Sequence, residues 1–193
     1  WLPEDATKGD TLLSYLTSDP KGLNFLTQNG SDVSSLQNYI TVALMRRHFS
    51  DTTQWHPELA YHMARTEDYL TYTFKIRQDV YWHKPTLDID DPQYAWLKEG
   101  TTCRDGHFKN GRCRVTAHDL EHMLDMVMND QVAGAAPLRS YYKNLESYKA
   151  LDDFTFTVSF NKKTQTQDLM VRGIFPVPEF LYAYDENGER YDD

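Results

Sequence analysis

Between Tyr69 and Arg77 apolar and polar residues alternate without a break, Leu70, Tyr72, Phe74 and Ile76 on one side and Thr71, Thr73, Lys75 and Arg77 on the other. A period of two sends successive side chains to opposite faces of an extended chain, so this segment predicts a half-buried strand. The pattern returns far along the chain, where Phe154, Phe156, Val158 and Phe160 alternate with Thr155, Thr157 and Ser159 after an Asp152-Asp153 turn. Two strands with aromatic faces bury those faces most simply in one sheet, and Tyr72, Phe74, Phe156 and Phe160 are assigned to its core.

The segment between the strands holds a helix signal. Thr116-Ala-His-Asp119 has the spacing of a capping box, in which a hydroxyl and a carboxylate three residues apart satisfy each other's backbone donors. Leu120, Met123, Leu124 and Val127 then form an apolar stripe at helical spacing. Nearer the N-terminus, Val33, Leu36, Ile40, Ala43 and Leu44 predict a second helix from about Ser34 to Arg47, and the apolar run at residues 11–16 predicts a buried strand. Residues 83–111, with acid-rich turns at Asp88, Asp90 and Asp91, read as a surface insertion.

With 193 residues and 40% hydrophobic content the chain can bury a sizeable core. Its 20 Lys and Arg against 29 Asp and Glu leave a formal charge of -9, a field that repels phosphate backbones and excludes nucleic acid as an expected partner. No apolar run approaches the roughly 20 residues that cross a bilayer. The start, Trp1-Leu2-Pro3-Glu4-Asp5, lacks a signal peptide, so any export signal is expected to have been removed already, and the polar end after Asp185 is expected to lie inside a longer protein. There is no Gly-x-Ser-x-Gly, no Gly-rich phosphate loop and no His-Glu-x-x-His, so no catalytic residue, enzyme activity or cofactor is expected.

Two constellations carry alternatives. Cys103 and Cys113, in a loop containing Gly and Asn, suit a small disulfide hairpin, and with His107, His118 and His122 they also outline a metal-binding or surface interaction module. Zinc motifs bring their cysteines closer together than this pair. The competing reading therefore bonds the cysteines to each other, leaves His118 and His122 exposed on a capped amphipathic helix, and assigns no metal ligand. Trp55, Tyr81 and Trp82 fit a ligand cleft as well as a core.

In this order the motifs resemble the N-terminal part of the peptide/nickel class of ABC-transporter solute-binding proteins, which includes the oligopeptide- and dipeptide-binding proteins. Pro57-Glu58-Leu59-Ala60 resembles that family's P-x-L-A entry. Residues 70–83 resemble its tFkLRkdvkWhdG strand, and Val115-Thr-Ala-His-Asp119 resembles its vTAeDv helix start. Softer matches lie at Gly9 to Leu13 with Leu23-Asn24, at residues 150–160, and at Pro176-Val-Pro178. The chain departs from the family in the residues between His83 and Val115, which hold both cysteines where the family makes a short turn.

The resemblance implies an α/β fold, a mixed-sheet lobe of a two-lobed periplasmic binding protein, present as an N-terminal fragment. Residues 1–44 and 170–193 then belong to an incomplete first lobe, and 45–169 to a smaller inserted domain carrying the Cys-containing insertion at 84–114. It implies a monomer in the periplasm or outside the cell that binds a solute, foremost a peptide, and hands it to a membrane permease, with nickel, haem and sugar as other ligand classes. Mapped by order, the loop meeting the ligand is Gln28, Asn29, Gly30, Ser31 and Asp32, which serves equally well as an ordinary turn capping the next helix through Ser31 or Asp32. Export favours the Cys103 to Cys113 disulfide.

Overall fold

The structure is a computed structural model and describes residues 9, 15–16, 19–20, 22, 24–28, 30–48, 50–83, 103–104, 106–185 and 189–191. In chain order, helix α1 (Ser31–Ile40) leads into a ribbon of β1 (Met45–Arg47) and β2 (Trp55–Pro57), followed by β3 (Ala60–Arg65) and β4 (Thr71–Ile76). A hairpin of β5 (Phe108–Lys109) and β6 (Arg112–Cys113) precedes α2 (Ala117–Met128) and the short α3 (Ala136–Arg139). Strands β7 (Leu145–Asp152) and β8 (Thr155–Phe160) and the short helices α4 (Gln167–Arg172) and α5 (Glu179–Tyr182) complete the order.

The two alternating segments are central neighbours in a four-stranded sheet of order β3-β4-β8-β7, antiparallel throughout. Phe74 stands opposite Phe156 and Tyr72 opposite Val158, so the aromatic faces meet in register. All four side chains are buried, and α2 covers them with Leu120, Met123, Leu124 and Val127. Each large apolar side chain removed from water stabilises by about 1.5–3 kcal/mol, which makes this sheet-and-helix sandwich the main source of cohesion. The same apolar cluster continues through Leu26, Leu44, Leu59 and Ile174. The α/β fold expected from the sequence is the fold observed.

Helix α2 begins as its sequence demands. Its capping box is present, and Asp119 Oδ2 accepts the Thr116 backbone N–H at 2.8 Å. The Asn110-Gly111 pair, with φ of 54° and 72°, makes the tight turn between β5 and β6. Left-handed geometry at both central residues is what a two-residue hairpin requires, and Asn-Gly supplies it at least steric cost.

Helix α1 differs from expectation. It starts at Ser31 and stops at Ile40, and residues 45–47 of the expected helix form β1 instead. Thr41 is already extended, with φ -113° and ψ 158°. The β-branched run Ile40-Thr41-Val42 weakens helical continuation. Beyond it the Ala43 N–H donates to Glu58 Oε2 at 3.0 Å and the Leu44 N–H to Ile174 O at 2.8 Å, so tertiary partners replace the helical ones. Of the strand expected at 11–16, residues 11–14 lie outside the described residues, and Tyr15 and Leu16 are exposed without regular structure. The acidic turns at Asp88, Asp90 and Asp91 also lie outside them.

Candidate ligand-binding site

Two clefts meet at Thr41, where α1 ends. The first has a volume of about 200 Å³ and is lined mainly by Phe25, Leu26, Trp82, Met126, Phe175 and Val177, with Asn24, Thr41 and Tyr182 at its rim. One wall is a turn shaped by Asn24, whose Oδ1 accepts the Leu26 N–H at 3.0 Å and whose carbonyl accepts the Gln28 N–H at 2.9 Å. That turn lies flush on the chain at Gly134, where a Cβ would stand 2.7 Å from Thr27 Cβ.

The opposite walls are fixed by Asp119. Its Oδ2 accepts the Trp82 indole N–H at 3.3 Å and its Oδ1 the Glu179 backbone N–H at 2.9 Å, while its backbone carbonyl takes the Val177 N–H at 3.0 Å. One buried carboxylate thus joins the α2 N-terminus, the Trp82 wall and the 177–179 wall. Burial pushes the Asp119 carboxyl up to about 7, against the opposing pull of the N–H groups that it accepts. Glu179 behaves differently. Burial raises its carboxyl, but Arg190 and Arg104 outweigh that and hold it below its usual value. Arg104 forks onto both Glu179 oxygens at 3.2 and 3.3 Å, and Arg190 contacts the same carboxylate.

The second cleft, about 360 Å³, lies against the β1–β2 ribbon and has mixed walls, with Gln37, Asn38, Arg46, Arg47 and Glu58 beside Met45, Trp55 and Leu169. The Trp55 ring is flanked by two guanidinium groups, Arg47 at 5.4 Å and Arg172 at 5.2 Å from its centroid. Arg46 pairs with Glu58 at 2.6 Å and Arg172 with Asp168 at 2.7 Å. Thr41 and Phe175 line both clefts and so form the ridge between them. A third cleft, about 550 Å³, has Tyr148, Tyr182, Tyr191 and Arg190 in its walls.

Of the five residues mapped by order to a ligand loop, Gln28 is half-buried, Gly30 is the N-cap of α1, Ser31 is exposed in its first turn and Asp32 is buried there; Asn29 lies outside the described residues. None of the four described ones lines the three clefts. They connect them, because the loop leaves the Leu26 wall and runs into α1, whose far end supplies Ile40 and Thr41. The aromatics left open by the sequence divide cleanly. Trp82 lines the apolar cleft, Trp55 the mixed one, and Tyr81 is structural, its hydroxyl accepting from Arg114 at 2.6 Å.

Cys103 and Cys113 form a disulfide with a Cα separation of 5.5 Å. The bonded sulfurs sit with Phe180 in a small apolar cluster to which Trp82 also packs. With both thiols bonded, the zinc-site reading loses its sulfur ligands, and among the described residues no group of three or more metal-ligating side chains is gathered. The histidines depart from the expected exposed pair on α2. His122 is buried, and the half-buried His118 stands 3.5 Å from Asp153, the carboxylate that His107 approaches at 2.9 Å. Burial, aided by Arg104, lowers the His118 imidazole.

Comparison with known proteins follows the same lines. The sequence model of the bacterial extracellular solute-binding proteins, family 5 Middle, matches residues 54–193. No curated protein matches this sequence. Among solved structures, OppA of Haemophilus influenzae in complex with RPPGFSPFR superposes at a TM-score of 0.61 and 18% identity, over 84% of this chain and 29% of that one. MoaA from A. tumefacien R10 in complex with mannopinic acid gives a TM-score of 0.60 and 20% identity, over 85% of this chain and 28% of that one. NikZ from Campylobacter jejuni in complex with Ni(L-His) gives 0.53 and 17%, over 78% and 24%. This chain therefore spans less than a third of the length of the structures it resembles. Its family consists of binding proteins and not enzymes, and among the described residues no helix is long and apolar enough to cross a membrane. The family match covers most of the chain and the fold agrees with it, so the chain belongs to the bacterial extracellular solute-binding proteins of family 5.

Proposed function

We propose that this chain forms one wall of the ligand cleft of an ABC-importer solute-binding protein whose solute is a peptide, held between two lobes and passed to a membrane permease. The observation that carries this reading is the pairing of a mainly apolar cleft with one of mixed, charge-bearing walls across the ridge of Thr41 and Phe175. A metal complex needs a few fixed ligands, and a small polar solute needs one polar pocket. A chain of varied side chains is better served by adjoining pockets of different character beside accessible backbone. The loop of Gln28, Asn29, Gly30, Ser31 and Asp32 borders this region and takes part in holding the ligand, through main-chain groups rather than side-chain chemistry.

In this reading residues 1–44 and 170–193 form part of the first lobe, and 45–169, with the four-stranded sheet, the smaller domain beside it. The protein acts as a monomer in the periplasm or at the outer face of the cell membrane. Lobe closure by a hinge desolvates the ligand and presents it to the permease. Thermal shift of the full-length protein against oligopeptides, a nickel-histidine complex and an opine tests the choice of solute. Stabilisation by peptides alone is expected, and stabilisation by either other ligand with none by peptides would overturn it.

A further inference from the structure

Four cations, two aromatic rings and one carboxylate form a continuous row across the β1–β2 ribbon, α4 and the β3–β4 turn. It begins at Arg47, whose guanidinium lies 5.4 Å from the Trp55 centroid, and crosses that ring to Arg172 at 5.2 Å. Arg172 bonds Asp168 at 2.7 Å, and Arg65 reaches the same carboxylate at 3.2 Å. Arg65 also lies 3.7 Å from the centroid of Tyr69, and Lys163, just after β8, approaches that ring at 3.7 Å.

The far end of the row is held under strain. Tyr69 has a φ of 65°, a left-handed conformation that disfavours any residue with a Cβ. Its carbonyl accepts from the Gln167 amide at 2.8 Å, and Gln167 is buried, so the turn is pinned where the ring meets both cations. An aromatic face attracts a cation without neutralising it. Arg47 and Lys163 have no carboxylate among the described residues, and Arg65 and Arg172 share one. Of the acids in the turn, Asp68 folds back onto Thr66 and Leu70, and Glu67 pairs with none of the row.

We propose that this row is a docking surface for a short acidic segment of the membrane permease. It rests on the importer reading above and adds which face of this chain meets the partner. Charge complementarity carries it, because the row concentrates positive charge in a chain whose formal charge is -9, and such contrast orients and speeds encounter. Screening over about 8 Å confines the field of the row to close range. A narrow acidic segment meets the row alone, whereas an anionic lipid surface also meets the acidic remainder of the chain. Both rings are already engaged by cations, so they hold charge in place rather than stack on a ligand.

Binding of the full-length protein to the permease in phosphatidylcholine nanodiscs tests this, with oligopeptide affinity measured in parallel. Arg65 and Lys163 line none of the three clefts. Arg65→Glu combined with Lys163→Glu is therefore expected to leave peptide affinity unchanged and to weaken permease affinity at least about tenfold. Lys163→Gln, which breaks no ion pair, is expected to weaken it about threefold and to flatten its salt dependence. Tyr69→Gly is expected to keep the melting temperature, since relief of strain offsets the lost ring contacts, while weakening docking. Undiminished permease binding by all three variants would overturn the docking surface and leave the importer reading standing, as would equal binding to empty nanodiscs containing phosphatidylglycerol. A native protein that does not bind the permease would overturn both.

Discussion

The Asp119 carboxylate accepts the backbone N–H of Glu179 at 2.9 Å, linking the first turn of α2 to the wall of the apolar cleft sixty residues on. Because the same side chain holds Trp82 and the Thr116 N–H, a residue chosen by the sequence as a helix cap also fixes two walls of the apolar cleft. Thr116→Ala removes only the cap. It is expected to cost about 1 kcal/mol of stability without altering ligand affinity, read from denaturant unfolding and calorimetry.

The ionisation of Asp119 gives a pH signature. Burial raises its carboxyl from 3.8 to about 7, so across that window the folded chain holds a proton that the unfolded chain has released. Stability from this group is present below the ordinary carboxylate range and is lost as pH rises through about 7. Melting temperatures from about pH 5 to about pH 8 should therefore fall more steeply for the native protein than for Asp119→Asn. Parallel curves would mean that the N–H donors keep Asp119 ionised throughout.

The disulfide ties Cys103 to the β5–β6 hairpin beside the cleft wall. Arg104, next to Cys103, forks onto Glu179, and Phe180 packs on the bonded sulfurs. Replacing both cysteines by serine is expected to lower stability by about 3 kcal/mol, from the loop-closure entropy of a short cross-link. Amide exchange at 179–182 should rise with it. Unchanged protection there would show that the disulfide does not support the wall.

Gly134 offers a test of the other wall. A Cβ there would lie 3.0 Å from the Thr27 Cα, and backbone cannot swing aside as a side chain can. Gly134→Ala is expected to cost about 1–3 kcal/mol and to weaken binding of peptides with large apolar side chains, because Phe25 and Leu26 ride on the displaced turn. Full stability and affinity would place that turn outside the site.

The sequence was most legible where one periodicity ruled. The strands through Tyr72 and Phe156 and the α2 stripe follow from alternation and helical spacing, and they lie as expected. Strands β3 and β7 escaped because each carries a register shift, between Ala60 and His62 and between Ala150 and Asp152 among others, and an extra residue breaks a period of two. The turn between β5 and β6 carried its signal in plain view as Asn110-Gly111. Helix α1 was drawn too long because residues 43 and 44 keep helical spacing while their N–H groups go to Glu58 and Ile174, partners no local pattern reveals. The clefts were legible only in part. Trp55 and Trp82 stood out as unsettled aromatics, but the ridge at Phe175 arises from segments far apart in sequence.

The most direct test compares titration calorimetry of a mixed peptide pool on this 193-residue chain and on the full-length protein. Affinity depends on how fully a ligand is desolvated and how many of its polar groups are paired, and one wall of a cleft leaves much of that undone. The full-length protein is expected to bind peptide in a saturable one-to-one manner, and this chain alone to bind weakly or not at all. Micromolar or tighter binding by the short chain alone would contradict the two-lobed account.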